Sequence, residues 1–298
     1  MVDQKSCIVL GASSQPASWL VPALLQDGWF VHLVSRGIKP QLNYGANAVW
    51  HSLDLRDEAA QIPAIGARVT FDTLGMRSTC LESLHVAGLE RVIRFSSTSI
   101  LTKIDSSDPV DAKGAADVAN SELAFIATCD RLRIAWTVLR PTLIYGGKFG
   151  DRTVQDVARI IRLLGFFPVF GDASGLRQPV HAEDLAHACL QICRNEKTFG
   201  RIYNVVGGEM LSYRDMISRI FQAMGKTPRF LTVPLPAFEL AARIIRLHPR
   251  YRHIRSSMAE RMQKDLIFSD DDARLDFGYA PRRFEPLLRA SLSAGNAS

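Results

Sequence analysis

Too few cysteines are present, and in the wrong pattern, for a disulfide scaffold: Cys7, Cys80, Cys129, Cys189 and Cys193 are scattered, odd in number and set mostly within apolar runs. That usage suits reduced thiols in a cytosol. Cys189 and Cys193 stand four residues apart in CLQIC, but no histidine or second cysteine pair completes four ligands, so core packing is preferred and no metal is expected. No apolar run approaches the roughly 18 to 20 residues that a membrane span requires. The opening MVDQKSCIVLG carries no basic segment followed by an apolar stretch and a small-residue cleavage site. Neither secretion nor spanning is expected, and a cytoplasmic location follows. Helix-turn-helix, RNA-binding aromatic and zinc-finger patterns are also missing, which argues against a nucleic-acid partner. Tyrosine is absent from the whole stretch between Tyr44 and Tyr145.

What is present is the composition of an ordinary globular protein, 47% hydrophobic and 22% charged over 298 residues, long enough for one large α/β domain or a large and a small one sharing a core. The net charge of +6 gathers late, at Arg243, Arg246, Arg250, Arg252, Arg255, Arg261 and Lys264, with His248 and His253 between them. Such a cluster suits an anionic membrane surface or a diphosphate better than nucleic acid here. Beside it VPLPAFELAARIIRL reads as a Pro-bounded apolar helix, so a weak peripheral membrane contact is a minor expectation against the plainer reading of a core helix with a solvated face.

The first half alternates strand and helix. Ser6 to Leu10 reads as a buried strand, GASSQPA as a turn, and Trp19, Leu20, Ala23 and Leu24 recur with helical spacing before a second strand at Phe30 to Val34. Short apolar runs at Ala48 to Trp50, Arg68 to Phe71, Arg91 to Phe95 and Ala135 to Leu139 continue the alternation. The pattern predicts a Rossmann-type, doubly wound parallel sheet over about residues 1–150, with 151–298 completing the core and forming a smaller C-terminal substrate lobe.

The first turn of such a sheet holds phosphate at a helix N-terminus. In its glycine fingerprint Gly11 keeps the first place, while Ser14 and Ala17 take the second and third, and Pro16 removes one N–H donor. A plain structural turn is the competing reading. The second strand ends at Ser35 and Arg36, where a hydroxyl and a guanidinium suit a 2′-phosphate, so NADP is favoured over NAD; a solvated arginine is the bland alternative.

Three further phrases carry a resemblance: FSSTSIL from Phe95, TVLRPTLIYGG ending at Gly147, and LRQPVHAED from Leu176 to Asp184. Together they resemble the extended short-chain dehydrogenase/reductases, the family of nucleotide-sugar epimerases, dehydratases and reductases, over about residues 6–286. The resemblance implies that Gly11, Ser13, Ser14, Ala17, Ser35, Arg36, Asp54, Leu55, Leu74, Gly75 and Ser96 line the cofactor. It also implies that Thr98 is the catalytic hydroxyl that polarises a substrate oxygen, and that Tyr145 and Arg177 contact substrate, with Arg177 on its diphosphate. Arg140, His181 and Asp184 are expected to hold loops and cap a helix.

The family's Tyr-x-x-x-Lys pair, followed four residues later by a Glu, is missing. If Glu122 is that Glu, the two places are Gly114 and Val118. A positioned acid or base contributes about 10²- to 10⁴-fold in rate, and neither residue can supply it. Lys103, Asp105, Asp108, Asp111 and Lys113 are the replacements within the same segment. Two readings follow: an NAD(P)-dependent epimerase or keto-reductase of a nucleotide sugar or related diphosphate-linked sugar, or a non-catalytic nucleotide-binding sensor, assembly or scaffold subunit, similar to nitrogen-regulator-type proteins or the complex I accessory subunit. A homodimer is the expected oligomer.

Overall fold

The computed structural model describes residues 5–36, 44–55, 62, 65–106, 108–148, 150–234 and 257–287. Its centre is a seven-stranded, wholly parallel sheet in the order β11-β6-β5-β4-β1-β2-β3. The strands are β1 (Ser6–Leu10), β2 (Phe30–Ser35), β3 (Ala48–Ser52), β4 (Val69–Asp72), β5 (Arg91–Phe95), β6 (Ala135–Pro141) and β11 (Arg201–Val205). Runs such as CIVL and VIRF lack alternation because both faces of the sheet are covered, which is the usual sign of a parallel sheet. Alternate residues still divide. Val9, Leu33, Ile93 and Leu139 pack with α1 (Ala17–Gln26) and α6 (Ala182–Cys193) on one face. Leu10, Val34, Val92 and Val138 pack with α2 (Ser78–Val86) and α4 (Pro109–Leu132) on the other.

The predicted strands are all present: Ser6–Leu10 and Arg91–Phe95 keep their expected bounds, and the other four shift by one or two residues where the apolar run gives no end signal. The strand expected at Ala135 to Leu139 continues through Arg140 to Pro141. Asp151 accepts from the Val154 N–H at 3.0 Å and caps α5 (Arg152–Leu164), the helix expected from its one apolar face. Ser212 does the same for α7 (Tyr213–Ala223), accepting from Asp215 N–H at 2.9 Å.

The second half returns β11 to the sheet and then builds a smaller apolar cluster from Val154, Ile161, Val169, Ile217, Phe221 and Phe284. Short paired strands frame this lobe: β7 (Ile144–Tyr145) with β10 (Val180–His181), β9 (Leu176–Arg177) with β12 (Leu211–Ser212), and β8 (Phe167–Val169) with β13 (Phe230–Thr232). It closes with α8 (Ser257–Gln263) and α9 (Asp271–Phe277). The apolar helix expected after Val233, most of the basic cluster and the C-terminal tail lie outside the described residues. No helix among the described residues is long and apolar enough to cross a membrane.

Candidate functional site

The strand order reverses between β1 and β4, and the C-terminal ends of the strands form one edge there. Open α/β sheets bind ligands at such a switch point. The topology brings most of the expected cofactor residues to this edge: Gly11, Ser13 and Ser14 after β1, Ser35 and Arg36 at the end of β2, Leu74 and Gly75 after β4, and Ser96 and Thr98 after β5.

Gly11 has φ +80°, and a Cβ there would stand 2.6 Å from Leu74 Cγ while also colliding with Thr73. Only glycine satisfies both demands. Thr73 Oγ1 donates to the Leu10 carbonyl at 2.8 Å and locks the two strand ends together. Ser13 and Ser35 join their hydroxyls at 2.8 Å. Ser14 bends back to accept from the Ala17 N–H at 3.2 Å, so the side chain in the second fingerprint place caps α1 itself. Pro16 has no N–H. The Ser13 and Gln15 N–H groups have no acceptor among the described residues and are the donors left for a phosphate.

Arg36 is exposed at the rim and lies 3.8 Å from Asp54. Leu55 belongs to the core cluster beneath. Ser96 Oγ is buried and has no partner among the described residues, whereas its N–H donates to the Leu139 carbonyl at 2.7 Å. Thr98 is buried, and its hydroxyl donates to the Pro141 carbonyl at 3.1 Å.

A residue pair that sequence reasoning passed over underlies this edge. The Asp72 carboxylate is fully buried and accepts from the N–H groups of Leu74, Gly75 and Met76 at 3.0, 2.9 and 2.7 Å. Burial pushes its pKa up, against the pull of Arg94 and the three amides. Arg94 lies 3.9 Å away, donates to Ser121 on α4 at 2.7 Å and stacks over Phe125. The available signal was an arginine in the middle of a buried strand, which requires a partner.

Gly114 and Val118 lie on α4 ahead of Glu122, whose carboxylate pairs with Arg140, Nε to Oε2 at 3.1 Å, and so sets the rotation of the helix on the sheet. A Cβ at Gly114 would meet only open space. One turn earlier Asp111 is held between Lys103, at 3.5 Å, and Arg261 of α8. Of the five replacement candidates, Lys103 and Asp111 are thus brought together.

Tyr145 and Arg177 are placed apart from the edge, inside the lobe. Tyr145 is buried edge-on to His181 and Phe284, with its hydroxyl donating to the Arg283 carbonyl at 3.1 Å, and burial pushes its pKa up to about 12. The Arg177 guanidinium is buried too, donating to the carbonyls of Leu176 at 2.7 Å, Lys264 at 2.8 Å and Arg261. It straps the segment after α8 to the lobe. His181 accepts from the Glu183 N–H at 3.2 Å and caps α6, and Asp184 receives Arg282 N–H and Nε at 2.9 and 2.8 Å. All five cysteines are free and buried, with burial raising the Cys193 thiol to about 11, and no metal-holding cluster occurs among the described residues.

A doubly wound parallel sheet with a glycine turn at its switch point is a Rossmann-type fold. Residues 67–206, from just before β4 to just past β11, match the model of the NAD dependent epimerase/dehydratase family. An uncharacterized protein of Sinorhizobium fredii, y4nG, is 25% identical over 310 residues, spanning 93% of this chain and 75% of the relative. The mitochondrial NADH dehydrogenase 1 alpha subcomplex subunit 9 of Arabidopsis thaliana is 23% identical over 101 residues, 34% of this chain and 25% of that one. Among solved structures, UDP-glucuronic acid 4-epimerase from Bacillus cereus, in complex with UDP-glucuronic acid and NAD, superposes with a TM-score of 0.68 at 16% identity over 93% of this chain and 94% of its own.

Proposed function

We propose that the chain binds NADP, with NAD as the alternative, along the edge from Gly11 to Ser96, and acts as an epimerase or keto-reductase on a nucleotide sugar or related diphosphate-linked sugar. The observation that carries this reading is the turn at the switch point: Gly11 lets Thr73 and Leu74 after β4 close on the turn, and the Ser13 and Gln15 N–H groups have no acceptor among the described residues. The buried Ser96 hydroxyl, without a partner among the described residues, fits the same edge. When bound, a nicotinamide cofactor accepts or returns a hydride. Arg36 would hold the 2′-phosphate, competing with Asp54 for its guanidinium. Thr98 would need to turn from the Pro141 carbonyl to meet a substrate oxygen. Lys103 and Asp111, brought together in this segment, are the candidates for the missing acid or base.

A second reading, a non-catalytic nucleotide-binding sensor or assembly subunit, is favoured by Arg177, whose donors already face three backbone carbonyls, and by the bare position at Gly114. Calorimetric titration of NADPH and NADH into the chain and its Arg36→Ala variant separates the possibilities. Tight NADPH binding that weakens about tenfold in Arg36→Ala, with NADH unaffected, supports the NADP site, since a charge-assisted contact is worth about 1.5–3 kcal/mol. Turnover of a nucleotide sugar that is lost in Thr98→Ala with cofactor affinity intact then supports the enzyme. Absence of binding by both cofactors rejects it and leaves a scaffold.

A further inference from the structure

At the N-terminal ends of the strands, on the edge of the sheet opposite to the glycine turn, a cleft of about 370 Å³ opens between Trp29, Arg91 and Phe199. Its size is that of a small-ligand pocket. The first residues of β4 and β6, Val69 and Ala135, contribute an apolar wall.

Arg91 is 4% exposed, yet its guanidinium is only partly served. Nη2 donates to Thr137 Oγ1 at 2.6 Å, Thr198 Oγ1 at 3.1 Å and the Ile192 carbonyl at 3.3 Å, whereas Nε and Nη1 are buried with no acceptor among the described residues. Burial lowers its pKa to about 10, so it remains a cation at neutral pH. Buried cations are normally paired. The adjacent Glu90 does not serve, because it turns to Arg68 at 2.6 Å, and Lys5 at the rim faces Asp27 at 3.8 Å. Among the described residues, Arg91 is therefore the one lining cation without a carboxylate partner, which matches a single negative charge. The Phe199 ring covers the guanidinium at 4.3 Å and is itself 39% exposed. Two aromatic walls and an apolar floor suit a flat, apolar body.

We propose that this cleft is a second ligand site that takes a small aromatic monocarboxylate, whose carboxylate accepts from Arg91 Nη1 when Phe199 swings aside and whose ring lodges against Trp29. The site is independent of the cofactor reading.

Benzoate is the probe, titrated into the full chain with and without saturating NADPH and followed by calorimetry and tryptophan fluorescence, with inorganic phosphate as the comparison. Two variants test the location. Gly66 lines the cleft with open space at its Cβ position, so Gly66→Trp is the variant that places bulk at the mouth. Arg91→Lys keeps the charge and removes the planar donors. The expected result is saturable benzoate binding, indifferent to NADPH, lost in Gly66→Trp with an unchanged melting temperature, and weakened about tenfold or more in Arg91→Lys. No saturation by about 10 mM benzoate overturns the proposal. So does undiminished binding in Gly66→Trp, displacement of benzoate by NADPH, or equally tight phosphate binding.

Discussion

Ser13 and Ser35, 22 residues apart in sequence, meet hydroxyl to hydroxyl at 2.8 Å. The contact ties the turn after β1 to the end of β2, so the candidate phosphate cradle and the candidate ribose end of the cofactor edge are held as one piece. Arg36 follows directly and inherits that placement. Beneath them Asp72 and Arg94 fix the neighbouring loop from the other side of the switch point.

Gly11→Ala is expected to destabilise the fold by at least about 2 kcal/mol, from the left-handed backbone and the collision with Thr73 and Leu74. Urea unfolding checks it. A midpoint equal to wild type would mean that the turn can open, and the rigid cradle would not stand.

Gly114→Tyr combined with Val118→Lys restores the family's pair on a helix with room for it. Replacing a mid-helix glycine favours the helix by about 0.5 kcal/mol, so the unfolding midpoint should hold or rise. Under the enzyme reading the double variant gains turnover of nucleotide sugars with NADPH or NADH, by up to about 10²- to 10⁴-fold. A well-folded, cofactor-binding variant without any turnover favours the sensor.

Arg177→Met removes donors from the carbonyls of Leu176, Lys264 and Arg261. A loss of about 2–4 kcal/mol in unfolding free energy is expected, with faster amide exchange across residues 261–266. If stability is kept and only the KM for a nucleotide sugar rises, Arg177 is a substrate anchor and not a strap.

Glu209 accepts from Arg219, Nη2 to Oε2 at 3.0 Å, and from the Phe284 N–H at 2.7 Å, and the guanidinium holds its carboxyl below the ordinary 4.5. A depressed acid stabilises the fold fully above its unfolded value and loses that contribution as pH falls through the folded one. Wild type should therefore exceed Glu209→Gln in urea midpoint near pH 7, with the gap closing below about pH 4.5. A gap that persists unchanged to pH 3 would show that charge plays no part in the contact.

The alternation of buried runs and helical spacing was enough to read the doubly wound sheet, because each strand covered on both faces leaves an unbroken apolar signature. The cap of α6 at His181 was equally legible, since a cap acts within three residues of itself. The Gly11 turn, the end of β2 and the loop after β5 could be assigned to one edge for the same reason: parallel topology dictates which end of every strand they share.

Tertiary structure alone decided how those residues spend their donors. Arg177 lies 84 and 87 residues from carbonyls it serves, Tyr145 138 residues from the one its hydroxyl reaches, and Asp111 150 from Arg261. Phrases matched along the chain place a side chain on an element, but whether its polar atoms face a cleft or a neighbouring backbone depends on packing between distant segments. Arg91 illustrates the same point: it reads as an ordinary strand residue, and only the folding of Thr137, Ile192 and Thr198 around it leaves Nε and Nη1 buried without a partner among the described residues.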